Sequence, residues 1–260
     1  MKLAAVFLLS TLSCSVLACS EAESKVLNNL SQQINRDLLI SGSEKINFTT
    51  LNPVCKMWPS QQNASIIVKP YTYSISKKNI EEVYFAIAIA VINISTGEIE
   101  SKLNDRRITT LDAISPERIT IDTARYRASK HDSSFGIRIM QGNLSNIAPF
   151  QEEFINIYSR SGDKIKSLAR GIKTSTYNGE GDGNCSFNGE SSNSTISTGA
   201  TITNHKNDLI ISTIKTKIES KAINNKCITS TSARSTIRNK IKFNGTQYVI
   251  PKELKSSLAL

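Results

Sequence analysis

The sequence predicts an all-β protein, an antiparallel sandwich or barrel-like sheet carrying one N-terminal amphipathic helix. Three observations predict it. Residues 83–94, VYFAIAIAVINI, are a continuous apolar run; short β-branched stretches recur between Gly-, Asn- and Ser-rich turns; and only one segment has helical spacing. Within the run, Val83, Phe85, Ile87, Ile89 and Val91 fall on one face of an extended segment, and Ala86, Ala88 and Ala90 on the other. A strand of this kind is buried on both sides and closely approached on its alanine side. Its β-branched residues and the Ser95-Thr96-Gly97 turn behind it argue for strand over buried helix. It is too short to cross a membrane as a helix, which needs about 20 apolar residues.

The 260-residue chain opens with MKLAAVFLLSTLSCSVLAC. Lys2, an apolar stretch over 3–17 and the small Ala18 give it the form of a secretion signal. Residues 21–40 follow, with Val26, Leu30, Ile34 and Leu38 spaced by four, and Ser41-Gly42 ends this helix. The helix either lies against the β core or spaces the domain from a membrane. An apolar face needs a partner, which favours the core. Strands are expected over 45–51, 64–76, the central run, and 98–103 as its antiparallel neighbour across Gly97. Residues 104–117 are expected to be a polar connection, with Pro116 stopping any helix. The extended pattern resumes over 118–126 and 135–140, and 154–159 and 164–172 flank the Ser161-Gly162-Asp163 turn. Residues 178–193, rich in Gly, Asn, Ser and acids, are expected to be an exposed loop. Strands over 194–203, 209–218, 228–236 and 241–250 complete the set, with Asn244-Gly245 the strongest turn signal. The expected organisation is a signal peptide over 1–18, a tether and helix over 19–44, a single β-rich domain over 45–250 and a loose tail over 251–260. Residues 141–151 form a soft boundary between two halves. No fixed-period repeat marks a propeller, although divergent blades are the other all-β arrangement the spacing allows.

Charged residues at 21% and hydrophobic ones at 39% are ordinary for a globular protein and wrong for a disordered one. The net charge of +10 favours anionic partners: lipid headgroups, acidic polysaccharide or nucleic acid. Nucleic acid is set aside, because aromatics are not interleaved with the basic residues as single-strand binding wants. Basic residues are densest near the C-terminus, where Lys215, Lys217, Lys221, Lys226, Arg234, Arg238, Lys240 and Lys242 stand against Glu219. In Ile214-Lys215-Thr216-Lys217-Ile218 the lysines share one strand face and leave the isoleucines for the core. Lys215, Lys217 and Lys242 are the candidate anion-binding residues. Lysines of this kind also blunt an edge strand against pairing.

Of the cysteines, Cys14 leaves with the signal. Cys185 and Cys227 bracket two strands in polar contexts and form the preferred disulfide. It closes a loop of about 40 residues, worth around 4 kcal/mol in the chain-entropy model. There is no CxxC and histidines are scarce, so neither a metal nor a cofactor is expected. His131, in Ser129-Lys130-His131-Asp132-Ser133-Ser134, has no GxSxG elbow beside it and belongs to a solvated turn, as does His205. Glu180-Gly181-Asp182-Gly183-Asn184 lacks the ligand spacing and terminal Glu of a calcium loop. Glycoside hydrolysis needs a facing pair of carboxylates, for which Glu98, Asp112, Asp122 and Asp132 are available. Asp122 lies inside a strand-like stretch and, if buried, needs Arg125, Arg127 or Arg138 as partner, which makes it a structural ion pair. No catalytic residue is assigned.

Val16-Leu17-Ala18-Cys19 resembles the lipobox of bacterial lipoproteins. The resemblance implies that Cys19 is acylated and opens the mature chain, and Ser20 is not the aspartate that retains such proteins at the inner membrane. Ordinary cleavage after Ala18 is the competing reading. Cys55 is unpaired if Cys19 carries lipid, and is otherwise available to pair with it. Ile121-Asp122-Thr123-Ala124-Arg125-Tyr126, Phe135-Gly136-Ile137-Arg138, the loop over 181–185 and Asp208-Leu209-Ile210 resemble uncharacterised exported proteins of Gram-negative bacteria. That likeness implies export and a β-rich fold and transfers no activity. The expected function is an exported, lipid-anchored, non-enzymatic envelope protein in the periplasm or at the outer membrane. It would bind a protein partner or an anionic envelope component. The alternative is a secreted hydrolase of polysaccharide or cell-wall material, with carboxylates from residues 105–132.

Overall fold

The computed structural model describes residues 19–40, 45–47, 51–77, 80–126, 133–143 and 145–260; the signal over 1–18, Arg127, His131 and Asp132 lie outside them. One helix, α1 (Glu21–Ile40), precedes β1 (Lys45–Asn47), β2 (Val54–Met57), β3 (Ala64–Lys77), β4 (Ile80–Asn93), β5 (Ile99–Thr110) and β6 (Ser115–Asp122). There follow β7 (Ser133–Gly142), β8 (Phe150–Ser161), β9 (Lys164–Gly181), β10 (Phe187–Thr203), β11 (Lys206–Ile223) and β12 (Lys226–Ile241). All belong to one sheet that does not close, so the all-β expectation holds and the barrel form of it does not. The pairings are antiparallel except for a single parallel bridge, Lys102↔Lys164, which joins β5 to β9. Either side of that bridge the sheet is in two halves, β1–β5 and β6–β12, and side chains join them. The large face of β4 (Phe85, Ile87, Ile89, Val91) packs on Ile119 and Ile121 of β6, Phe135, Ile137 and Ile139 of β7, and Phe154 and Tyr158 of β8.

The alanine face of β4 receives α1. Val26, Leu27 and Leu30 meet Ile67, Ala90 and Ile92, while Ile34 meets Tyr71, Tyr73, Tyr84, Ala86 and Ala88. Small side chains there let the helix lie close to the sheet. Its start is fixed by a capping box: the Ser20 amide donates to Glu23 Oε2 at 2.6 Å and the Glu23 amide to Ser20 Oγ at 3.3 Å. Glu23 is itself buried and accepts a second hydrogen bond from Ser65 of β3, which ties the cap to the sheet.

Four expectations are corrected. Residues 104–110 are not a polar connection but the second half of β5, because their polar groups are paired inside: Tyr71 donates to Asn104, and Tyr158 to Asp105 at 2.6 Å. Pro116 stands in β6, an edge strand with a register shift at the proline, where a missing N–H costs no ladder bond. Residues 178–193 are mostly strand: β9 and β10 pair from Asn193↔Ser175 to Phe187↔Gly181, and only 182–186 is turn. Residues 251–260 are not loose. The Ser256 amide donates to Gly171 at 2.7 Å, Leu260 to Ile108 at 3.1 Å, and Leu254 is buried. The soft boundary at 141–151 falls within the β7–β8 hairpin, whose strands pair along their length as far as Gly142↔Gln151. Asn204-His205 and Asn224-Asn225, all four at positive φ, are the tight turns joining β10 to β11 and β11 to β12. His205 therefore serves the turn, as expected.

Candidate functional site

β10 leaves β9 after Asn193↔Ser175 and continues paired with β11 alone. The 3-10 turn Lys252–Leu254 fills part of the fork that opens there. What remains is a cleft of about 370 Å³ lined by Phe150, Glu152, Lys173, Thr176, Asn178, Glu190, Ser191, Ser192, Ser194, Thr213, Lys215, Ile237, Asn239, Glu253 and Leu254. Cross-strand register puts Ser192, Ser194, Thr213, Lys215, Ile237 and Asn239 on one face of β10–β12. Two hydroxyl pairs line the wall, Thr176 with Ser192 at 2.7 Å and Ser194 with Thr213 at 2.9 Å. Glu152 is buried in the cleft and accepts a hydrogen bond from Ser256 of the docked tail. Burial pushes its carboxyl up, against the pull of the Ser256 hydroxyl and of Lys173. Glu152 was legible: continuing the alternation of the expected 154–159 strand back by one pleat puts it on the Phe154 face. Lys173 carries no such signal, because β9 is irregular between Phe154↔Lys173 and Glu153↔Ser175.

The structure separates the expected anion-binding trio. Lys215 and Lys217 share a face of β11, and Lys215 alone lines the cleft; Lys217 stands opposite Glu190 across the ladder. Lys242 follows Ile241, the partner of Leu209, so alternation places it on the other face, with Arg238 and Lys240. The isoleucines expected in the core beside the two lysines are not core: Ile214 is 46% exposed, because both faces of the sheet meet solvent there.

No hydrolytic pair forms among the described carboxylates of residues 105–132. Asp105 is buried and holds Tyr158 and Arg170, and burial together with its charge pushes the Tyr158 hydroxyl far up. Asp112 caps the amide of Ile114 at 3.0 Å. Asp122 is held by Arg138 at 2.7 Å, with Glu153 on the other side of the same guanidinium at 3.0 Å and Tyr126 donating at 2.7 Å. Arg138 is thus the partner that Asp122 required. In the 182–186 turn, Asp182 Oδ1 accepts from the amides of Asn184 and Ser186 at 2.8 and 3.0 Å, so that carboxylate organises the turn.

Cys185 is bonded to Cys227, as expected, tying the β9–β10 turn to the β11–β12 hairpin. Cys19 and Cys55 also lie at disulfide distance, with 2.06 Å between the sulfurs, which is the pairing expected of a chain whose Cys19 carries no lipid. One sulfur cannot be both a disulfide partner and a thioether to lipid, so the anchored chain and the bridged chain are alternatives. Among the described residues one trio brings possible metal-ligating atoms within 4.8 Å, Cys19, Glu23 and Cys55, and its sulfurs are spent in that bridge. Two disulfides fit an oxidising, exported compartment. No described helix is long and apolar enough to cross a membrane. Alkylation of the unreduced mature protein is expected to label none of Cys19, Cys55, Cys185 and Cys227, and to label all of them after reduction. A free Cys55 thiol together with acyl mass on Cys19 in the intact-mass spectrum sinks the bridged form. No protein-family model, curated protein or solved structure matches the chain.

Proposed function

We propose that this is an exported, non-enzymatic binding protein of the Gram-negative envelope, working in the periplasm or at the outer membrane. Its cleft holds an acidic, hydroxyl-rich glycan of that envelope. The observation that carries this reading is the lining of the cleft, which holds two hydroxyl pairs and two asparagines together with Lys173 and Lys215. Serine, threonine and asparagine exchange hydrogen bonds with sugar hydroxyls in both directions. Phe150 and Leu254 supply the apolar surface against which a ring can lie, as small-ligand sites require. The lysines supply a counter-charge for a carboxylate or phosphate substituent. Glu190 and Glu253 at the same cleft disfavour a purely anionic ligand such as free phosphate. With Cys19 in a bridge, the mature chain is soluble in its compartment; the lipid-anchored form is the alternative the thiol count decides.

Isothermal titration with a uronic-acid oligosaccharide, and with a neutral oligosaccharide of the same length, tests the reading. The acidic chain is expected to bind, and Lys173→Ala with Lys215→Ala to weaken it about tenfold at low salt, the size expected when charged partners are removed from a solvated site. Equal binding of the neutral chain, or no change in the double variant, refutes the assignment of the lysines. One observation favours a hydrolase as second reading: burial raises the Glu152 carboxyl in a cleft that also holds Glu190 and Glu253, and a general acid needs such a group. Shortening of the oligosaccharide during the titration would place the protein there.

A further inference from the structure

β12 is the last strand of the sheet and pairs with β11 alone. Among the described residues, no backbone hydrogen bond reaches the outer edge of its Lys226–Ile241 span. Apart from Asn239 and Ile241, its described side chains are exposed. An edge this long and this open is an unfilled template for another strand. Its charge pattern decides what can fill it. The strand contains no acid. Ser212↔Arg238 and Ile210↔Lys240 put these two basic side chains on one face, and Lys242 continues the row by alternation. The acid beneath the row is Asp208, which is buried, accepts a hydrogen bond from Thr201, and is held below the usual carboxylate range by that bond ahead of the nearby Lys240 and Lys242 charges. Three basic side chains over one buried carboxylate leave the row basic.

We infer that the outer edge of β12 is a docking site for an extended acidic segment of a partner protein, which adds to the sheet as a further strand. Main-chain hydrogen bonds to the open edge supply the pairing, and carboxylates at alternate positions of the incoming strand stand beside Arg238, Lys240 and Lys242. Strand addition commonly divides its work in this way, with backbone for affinity and alternate side chains for selection. Directly opposed side chains on paired strands lie about 5 Å apart, near enough for each charge pair to count. The same row excludes a second copy of this chain, because edge-to-edge self-pairing would bring basic rows together with no acid in either strand. The site is independent of the cleft, since Arg238 and Lys240 point away from the face that carries Lys215 and Asn239.

A short peptide with glutamate and threonine in strict alternation tests the proposal against one of the same composition with its glutamates in a block. The alternating peptide is expected to bind and to slow amide exchange across 235–241. The block peptide should bind about tenfold more weakly, the size that two or three cross-strand charge pairs supply together. Arg238→Glu with Lys240→Glu should weaken the alternating peptide by a similar factor. An alternating peptide with methylated backbone nitrogens should lose binding while keeping every charge, and this arm needs no protein variant to fold. Three results overturn the proposal. One is equal protection of 235–241 by the block peptide or a uronic-acid oligosaccharide, which makes the row a generic anion site; another is unchanged exchange of the β12 amides with the peptide bound; the third is sedimentation of the free protein as a dimer with β12 already protected.

Discussion

Replacing Arg138 by methionine lowers the unfolding free energy by about 3 kcal/mol at neutral pH, the lower end of the range for breaking a buried ion pair. The side chains of Arg138, Asp122 and Glu153 are 24%, 17% and 15% exposed, so each keeps some water, and this sets the lower end. The loss comes from what is left behind. Methionine fills much of the space, but Asp122 and Glu153 face one another's surroundings with no cation between them. The effect carries a pH signature. Burial by itself would raise the Asp122 carboxyl; the hydrogen bonds from Tyr126, from the Ala124 amide and from Arg138, with the guanidinium charge, outweigh it and hold the group below the usual range. A carboxyl depressed in the folded state contributes stability that is fully present above its unfolded pKa, about 3.9, and is lost as pH falls through the folded value. Urea unfolding of the two proteins should therefore differ most at neutral pH and converge as the solution is acidified below about pH 4. A difference that stays constant down that range would mean that Arg138 acts by packing alone.

How much of this was legible in the sequence depends on whether the signal lay in burial or in register. The alanine row Ala86, Ala88, Ala90 and the large row Phe85, Ile87, Ile89, Val91 announced a strand covered on both sides, and α1 and the β6–β8 layer cover it. The same periodicity placed α1 at its observed limits. Signals of this kind fail where a strand has nothing to bury. β9, β10, β11 and β12 run out beyond the core into solvent on both faces, so 178–193 alternates nothing and resembles a loop. β5 fails for the opposite reason: Asn104 and Asp105 are polar yet inside, and their partners Tyr71 and Tyr158 lie tens of residues away. The cleft was beyond composition altogether, because it exists only where β10 parts from β9, and the docked tail that supplies Ser256 and Leu254 comes from the far end of the chain. Grouping lysines by nearness in sequence put Lys242 with Lys215 and Lys217; one strand period, counted from Ile241, puts it with Arg238 and Lys240 instead.

Phe135→Ala is expected to cost about 3–5 kcal/mol, as removal of a fully buried aromatic ring does. Phe135 has no exposed surface. Its ring meets Trp58 edge-on at 5.2 Å and stacks on Tyr158 at 5.6 Å, so it touches the segment after β2 and the strand after its own. That position is where the halves of the sheet meet. Strand pairing joins them through the single bridge Lys102↔Lys164, and polar ties cross the same join from Lys56 to the carbonyl of Ile121 at 2.9 Å, from Tyr158 and Arg170 to the buried Asp105, and from Arg160 to Glu100 at 2.9 Å. Cohesion between the halves rests on these ties together with the packing of β3 and β4 against β6, β7 and β8, of which Phe135 is a central member. Trp58, the one tryptophan, reports on that contact directly, while far-ultraviolet circular dichroism reports on every strand. In both wild type and variant the two signals should fall together in one transition, because halves that share a core cannot unfold separately. The variant should move that transition to lower denaturant with an unchanged slope, since the surface exposed on unfolding is nearly the same. If tryptophan fluorescence changes at a lower concentration than the dichroism, the β1–β5 half releases first, and the two layers are separate folding units.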